Sequence, residues 1–144
     1  MKDNYLITID GIQRNDVDED KLSLTTLGSF YRRDDSFYII YKETQATGFD
    51  GDVTMLKVEA NRKVTMQRKG KTNSELTIER GQKHLCHYDT GHGNFVIGVL
   101  AKSIDNRLSD IGGHLSLSYS LDINSNAVSE NELNITVRET ENNA

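Results

Sequence analysis

From His114 to Asn124 the chain alternates strictly: Leu115, Leu117, Tyr119, Leu121 and Ile123 are separated by Ser116, Ser118, Ser120 and Asp122. Steps of two residues would scatter these side chains around a helix axis, whereas on a strand they all fall on one face. This stretch is a long β-strand with one buried side. The same period recurs over 4–13, 20–33, 36–46, 52–60, 62–69, 73–80, 83–90, 94–103, 113–124 and 127–138, which predicts about ten strands.

The breaks between these segments carry turn residues, among them Asp34-Asp35-Ser36, Lys69-Gly70-Lys71 and Gly112-Gly113. Most have hairpin length, so neighbours in sequence should pair antiparallel as a meander. An open sheet leaves two exposed edges, and closure alone removes both. The expected fold is therefore an all-β, closed antiparallel meander barrel of about 8–10 strands, in a single domain over 1–144 with a disordered tail at 139–144. Gly11, Gly28 and Gly98 lie inside strand patterns, where barrels place bends and bulges. The apolar parity slips between Val128 and Leu133, which predicts a bulge near Ser129–Asn131. Helix spacing occurs over 103–110, where Ile104, Leu108 and Ile111 fit either one short helix or an irregular strand.

Charge narrows the partners. With 17 basic and 22 acidic residues the net charge is -5, which repels phosphate backbones and anionic lipid, so neither nucleic acid nor membrane is expected. The N-terminus enters a strand pattern at once and shows no signal core, and no segment has the roughly 18 apolar residues of a membrane helix. Cys86 is the single cysteine, so no intrachain disulfide can form. These features predict a cytoplasmic protein, for which the sequon Asn134-Ile135-Thr136 has no consequence.

Several motifs fail on their own chemistry. Asp16-Val17-Asp18-Glu19-Asp20 opens like a calcium loop, but Lys21 stands where the turn needs Gly and Leu27 where a bidentate Glu belongs. His84, Cys86, His87 and His92 suggest zinc, yet on a strand His87 points away from His84 and Cys86. The basic cluster Lys57, Arg62, Lys63, Arg68, Lys69 and Lys71 contains no aromatic residue on which a base could stack, and reads as a solvated hairpin. There is no phosphate loop and no nucleophile elbow, and no cofactor or metal is expected.

One constellation survives. Phe37, Ile39, Tyr41 and Glu43 share a face, as do Val64, Met66 and Arg68, so a carboxylate and a guanidinium end two apolar stripes. A charge facing a core is costly unless paired and hydrogen-bonded. Glu43 and Arg68 are then expected as partners in the lumen, with Ser74, Tyr88 and Tyr119 beside them; the competing expectation is that both charges sit at strand ends and reach solvent.

Arg68-Lys69-Gly70, Ser74-Glu75-Leu76, Arg80-Gly81, Tyr88-Asp89-Thr90, Ile97-Gly98-Val99, Gly112-Gly113, Leu117 through Leu121 and Asn131 through Val137 resemble the YwiB-like family, as do Phe37 through Glu43 with Thr47-Gly48. The resemblance covers nearly the whole chain. It implies a small bacterial cytoplasmic protein of unassigned role with a calycin-like barrel related in shape to lipocalins. The turn Thr90-Gly91-His92-Gly93 departs from the family by lacking a Pro-aromatic pair.

The expected function is non-enzymatic binding of a small polar or anionic ligand in the lumen, with Arg68 as anchor and Tyr41, Glu43, Ser74, Tyr88 and Tyr119 around it. The alternative is a structural or interaction module with a filled barrel. It would dimerise through 95–100, because Phe95-Val96-Ile97-Gly98-Val99-Leu100 is apolar on both faces and only one can face the lumen. An enzyme using Glu43 with a tyrosine is the third class considered.

Overall fold

Among the residues that the computed structural model describes, 4–44, 50–71, 73–89, 94–123 and 126–140, every regular element is a strand. In chain order they are β1 (Tyr5–Arg14), β2 (Glu19–Arg33), β3 (Ser36–Lys42), β4 (Val53–Glu59), β5 (Lys63–Lys69), β6 (Ser74–Glu79), β7 (Lys83–Asp89), β8 (Asn94–Ser109), β9 (Gly112–Ile123) and β10 (Asn126–Glu139). Each pairs antiparallel with its successor, and β10 returns to β1 from Tyr5↔Glu139 to Arg14↔Glu130, closing the barrel. The expected meander and its closure are both present.

Parity decides what goes inside. Ile7 and Ile9, Ile39, Leu56 and Val58, Val64, Ile78, Val99, Leu115 and Leu117, Ile135 and Val137 all point inward and are buried. Burying each such side chain contributes about 1.5–3 kcal/mol, and directly opposed pairs such as Ile9↔Ile135 and Val58↔Val64 hold the register.

The segment 103–110 is strand, not helix. β8 continues to Ser109, with Ile104, Asn106 and Leu108 on one face. A spacing of four satisfies period two as well as period 3.6, and polar Asn106 hides the alternation. Its amide donates to Ala60 O at 2.9 Å, while its side-chain oxygen accepts the Leu108 N–H at 3.0 Å. Ile111, the third residue of the apparent helix stripe, is exposed in the turn.

None of the three interior glycines sits at a bulge, and Gly28 and Gly98 mark close approaches. Register runs unshifted through Gly11, Gly28 and Gly98; the shifts fall between Ala101 and Ser103, and between Ala127 and Ser129. The second lies just before the predicted bulge. At Gly28 a Cβ would stand 2.4 Å from Ile40 O and 2.5 Å from Ile7 Cδ1. At Gly98 it would meet the Lys83–Asp122 ion pair (2.7 Å), which crosses the strand there.

A ten-strand meander puts alternate turns at opposite ends. One end carries the turns after β2, β4, β6 and β8 together with both chain ends. It is sealed by Tyr5, Phe30 and Phe37, whose rings are 5.3 and 5.7 Å apart, and by Asn61, whose Oδ1 accepts the Asn106 N–H at 2.7 Å. β10 runs through Glu139, and the Thr140 amide and hydroxyl both donate to Asn4 O, so the expected tail is anchored over its first two residues; 141–144 lie outside the described residues. The other end carries the turns after β1, β3, β5, β7 and β9. The cavity opens there.

Candidate ligand-binding site

A cavity of about 730 Å³ occupies the open half of the lumen. Its apolar wall includes Met66, Leu76, Ile97, Leu121 and Leu133, and its polar lining includes Arg68, Ser74, Tyr119, Ser129 and Asn131. Among the described residues, the barrel is thus packed at one end and leaves this space at the other. Such a space is of the size that holds a small ligand.

Register explains why the polar residues meet. Gly28↔Tyr41, Tyr41↔Thr54, Thr54↔Arg68, Arg68↔Ser74 and Ser74↔Tyr88 are successive direct pairs, so one row runs across β2 to β7. Every member of such a row faces the same side of the sheet. The absent Cβ of Gly28 leaves Tyr41 room to pack against β2.

Glu43 lies just past β3, where its N–H donates to Asp52 O (2.7 Å) and its carbonyl accepts from Gly51 (3.3 Å). Its carboxylate is buried. Oε2 accepts from the Thr54 hydroxyl and from Arg68 Nη2 at 3.4 Å. Only 1% of the Glu43 side chain and 15% of the Arg68 side chain remain exposed, so the alternative of two solvated charges at strand ends is excluded. Asp52, also buried, accepts the Lys71 N–H at 2.9 Å.

Burial raises the pKa of the Tyr41 phenol well above its ordinary value of 10.0, and the Glu43 charge adds to the shift; Arg68 and Thr54 act in the opposite direction. The phenol stays neutral in the folded barrel at pH values where an unfolded chain ionises it. The unfolded state then holds fewer protons, so this contribution to stability is full below about pH 10 and is lost as pH rises above it. Urea midpoints should fall above pH 10 more steeply for the native chain than for Tyr41→Phe, by about 1.4 kcal/mol per pH unit.

Of the six residues singled out in the sequence, Arg68, Ser74 and Tyr119 line the cavity. Glu43 holds Arg68 through its carboxylate, and Tyr41 is hydrogen-bonded to Glu43 and Thr54. The backbone of Tyr88 pairs with Ser74 and Phe95, and its side chain lies outside the described residues. The sequence reading missed Thr54, Ser129 and Asn131. Thr54 could have been found, since it shares the face of Leu56 and Val58; Asn131 lay beyond a register shift that obscured its parity.

The histidine and cysteine cluster separates. His84 Nε2 bonds Glu79 Oε1 at 2.8 Å, while the Cys86 thiol accepts the Thr77 N–H at 3.4 Å, across a β6–β7 seam with the single register pair Ser74↔Tyr88. Burial pushes the Cys86 thiol up, which lowers its thiolate fraction. His92 and the turn Thr90–Gly93 lie outside the described residues, and among those described no three His, Cys, Asp or Glu side chains are grouped as metal ligands. Also among them, no helix is long and apolar enough to cross a membrane.

No curated protein matches the chain. Among solved structures it is similar to the ywiB protein from Bacillus subtilis, with a TM-score of 0.80 at 17% identity, over 94% of this chain and 91% of that one. That likeness shows the same barrel. Residues 7–135 match the family model described as a domain of unknown function, DUF1934, and the chain is therefore a member of that YwiB-like family.

Proposed function

We propose that this barrel is a non-enzymatic cytoplasmic receptor whose lumen takes a small molecule with an apolar body and a polar or anionic head, in the manner of calycins and lipocalins. The observation that carries the reading is the cavity of about 730 Å³ in the lumen, where apolar Met66, Leu76, Ile97, Leu121 and Leu133 meet polar Arg68, Ser74, Tyr119 and Asn131, with Asp20, Lys21 and Glu132 also in its lining. A cavity lined by apolar side chains with a few placed polar groups suits an amphiphile. Glu43 balances the charge of Arg68, so the head group is selected for accepting hydrogen bonds as much as for charge.

A head-group series tests this. Decanoate, decanol and decylamine share a tail, and the acceptor-bearing decanoate and decanol should raise the melting temperature while decylamine does not. Gly11→Leu, whose side chain enters the cavity where a Cβ meets only ordinary contacts, should abolish the shift. Absence of stabilisation by decanoate and decanol alike would end the receptor reading.

One observation favours the second reading, a homodimer through 95–100. On the outer face Leu85, Val96 and Leu100 are exposed (73%, 44% and 41%), and Leu85 is paired with Gly98, between the other two. The Lys83–Asp122 pair over Gly98 gives the patch balanced charge, so it can face a copy of itself. Light scattering should then show a dimer that Leu85→Glu dissociates, and a monomer throughout a concentration series removes this reading.

A further inference from the structure

The outer face of β2 to β5 combines features that the lumen does not explain. Tyr31 and Tyr38 are a direct pair with rings stacked at 4.9 Å, the Arg33 guanidinium lies 5.7 Å from the Tyr31 ring, and Lys57 Nζ lies 6.0 Å from the Tyr38 ring. The next outward row holds Ser29, Ile40, Met55 and Gln67, and the row beyond it Lys42, Val53 and Lys69. Leu27 and Val53 are exposed at 52% and 40%, and Lys42 and Lys69 are exposed beside them. The result is an apolar strip, Ile40 and Met55 at its centre, bordered by cations.

Within β2 to β5 these three rows hold no carboxylate, although acids outnumber bases in the chain as a whole. Glu59, in the same row as Arg33, is engaged with Arg62 at 3.5 Å, and Glu75 of β6, the direct pair of Gln67, is bonded to it at 3.2 Å. Positive charge has been gathered onto one face of an acidic protein. Complementary potential is what recruits and orients a partner.

We infer that this face is a docking surface for an acidic partner protein, bound through a segment that carries apolar side chains among its carboxylates. The apolar side chains would cover Ile40, Met55 and Val53, and the carboxylates would meet Lys42, Lys57, Lys69 and Arg33. A second copy of this chain does not fit, because it would bring the same lysines together. Nucleic acid fits poorly, since Arg33 and Lys57 already lie against the tyrosine rings a base would need, and Ile40, Met55 and Val53 offer a base nothing to bond.

A phage-displayed library of random 12-residue peptides, panned against the full chain, tests the inference. Lys42→Glu/Lys57→Glu serves as the control surface, and both side chains lie on the barrel exterior, away from its core. Peptides enriched on the native chain should be rich in Asp and Glu interleaved with Leu, Ile or Phe, and should bind about tenfold more weakly to the control. Met55→Ser, which keeps all the charges, should weaken them as well. No enrichment, enrichment of neutral or basic peptides, or binding that survives the charge reversal overturns the proposal. So does binding of oligo(dT) or phosphatidylserine vesicles that the reversal abolishes while no acidic peptide is selected. The lumen is untouched by these substitutions, so the outcome is independent of the receptor reading.

Discussion

Arg68→Ala should lower the stability of the barrel by about 3–5 kcal/mol, the cost of leaving a buried charge without its partner. The substitution leaves the Glu43 carboxylate, 1% exposed, without its cation and with only neutral hydroxyls, those of Thr54 and Tyr41, named among its side-chain donors. The double variant Arg68→Met/Glu43→Gln removes both charges while roughly keeping volume, and should recover most of the deficit, because a buried ion pair is often matched in stability by uncharged side chains that fill its space. Urea denaturation of the native chain, the single variant and the double variant measures this. If the single variant costs no more than the double, the pair is solvated and the reading of the polar row is wrong.

Gly113→Ala should cost at least about 3 kcal/mol, combining two effects of similar size. Gly113 has φ of +137°, a conformation costing about 1–3 kcal/mol for a residue with a side chain, and its Cβ would lie 2.2 Å from Arg107 O. Its neighbour Gly112 is under the same constraint, with φ of +123° and Val137 O at 2.3 Å. The obstructing atoms are backbone carbonyls of the adjacent strands, so relief requires β8 to move away from β9 at Gly113, and β10 at Gly112. Gly11→Ala provides the comparison: its Cβ meets no atom closer than 3.6 Å, and its effect should stay within about 1 kcal/mol. A Gly113→Ala protein with the native urea midpoint would contradict the close packing of these three strands.

The fold was legible because the inward positions of most strands are unambiguous. Leu115 through Ile123 is the clearest case, and each hairpin shorter than six residues then dictated its neighbour. Where legibility failed, one polar residue on the inner face was responsible. Asn106 breaks the alternation of β8, and its bonds to Ala60 and Leu108 join segments distant or adjacent in sequence with equal ease, which no local pattern reports. The partnership of Glu43 and Arg68 was readable from parity alone, since two charges ending inward stripes need one another. That half the lumen is hollow was not readable: Leu76, Leu121 and Leu133 line the cavity, and the same residue types fill the packed end. The ring beside the basic cluster was hidden for a related reason. Sequence neighbours supplied no aromatic residue, but the register placed Tyr38 of β3 directly opposite Lys57 of β4.

Tyr5 pairs with Glu139, and Asn4 is bonded to Thr140, so residues 4 and 140 meet at the plugged base. A short Gly-Ser bridge between these two positions would join β10 to β1 without bending either strand. Opening the chain instead at the turn between β1 and β2 would then give a permuted molecule with an unaltered wall.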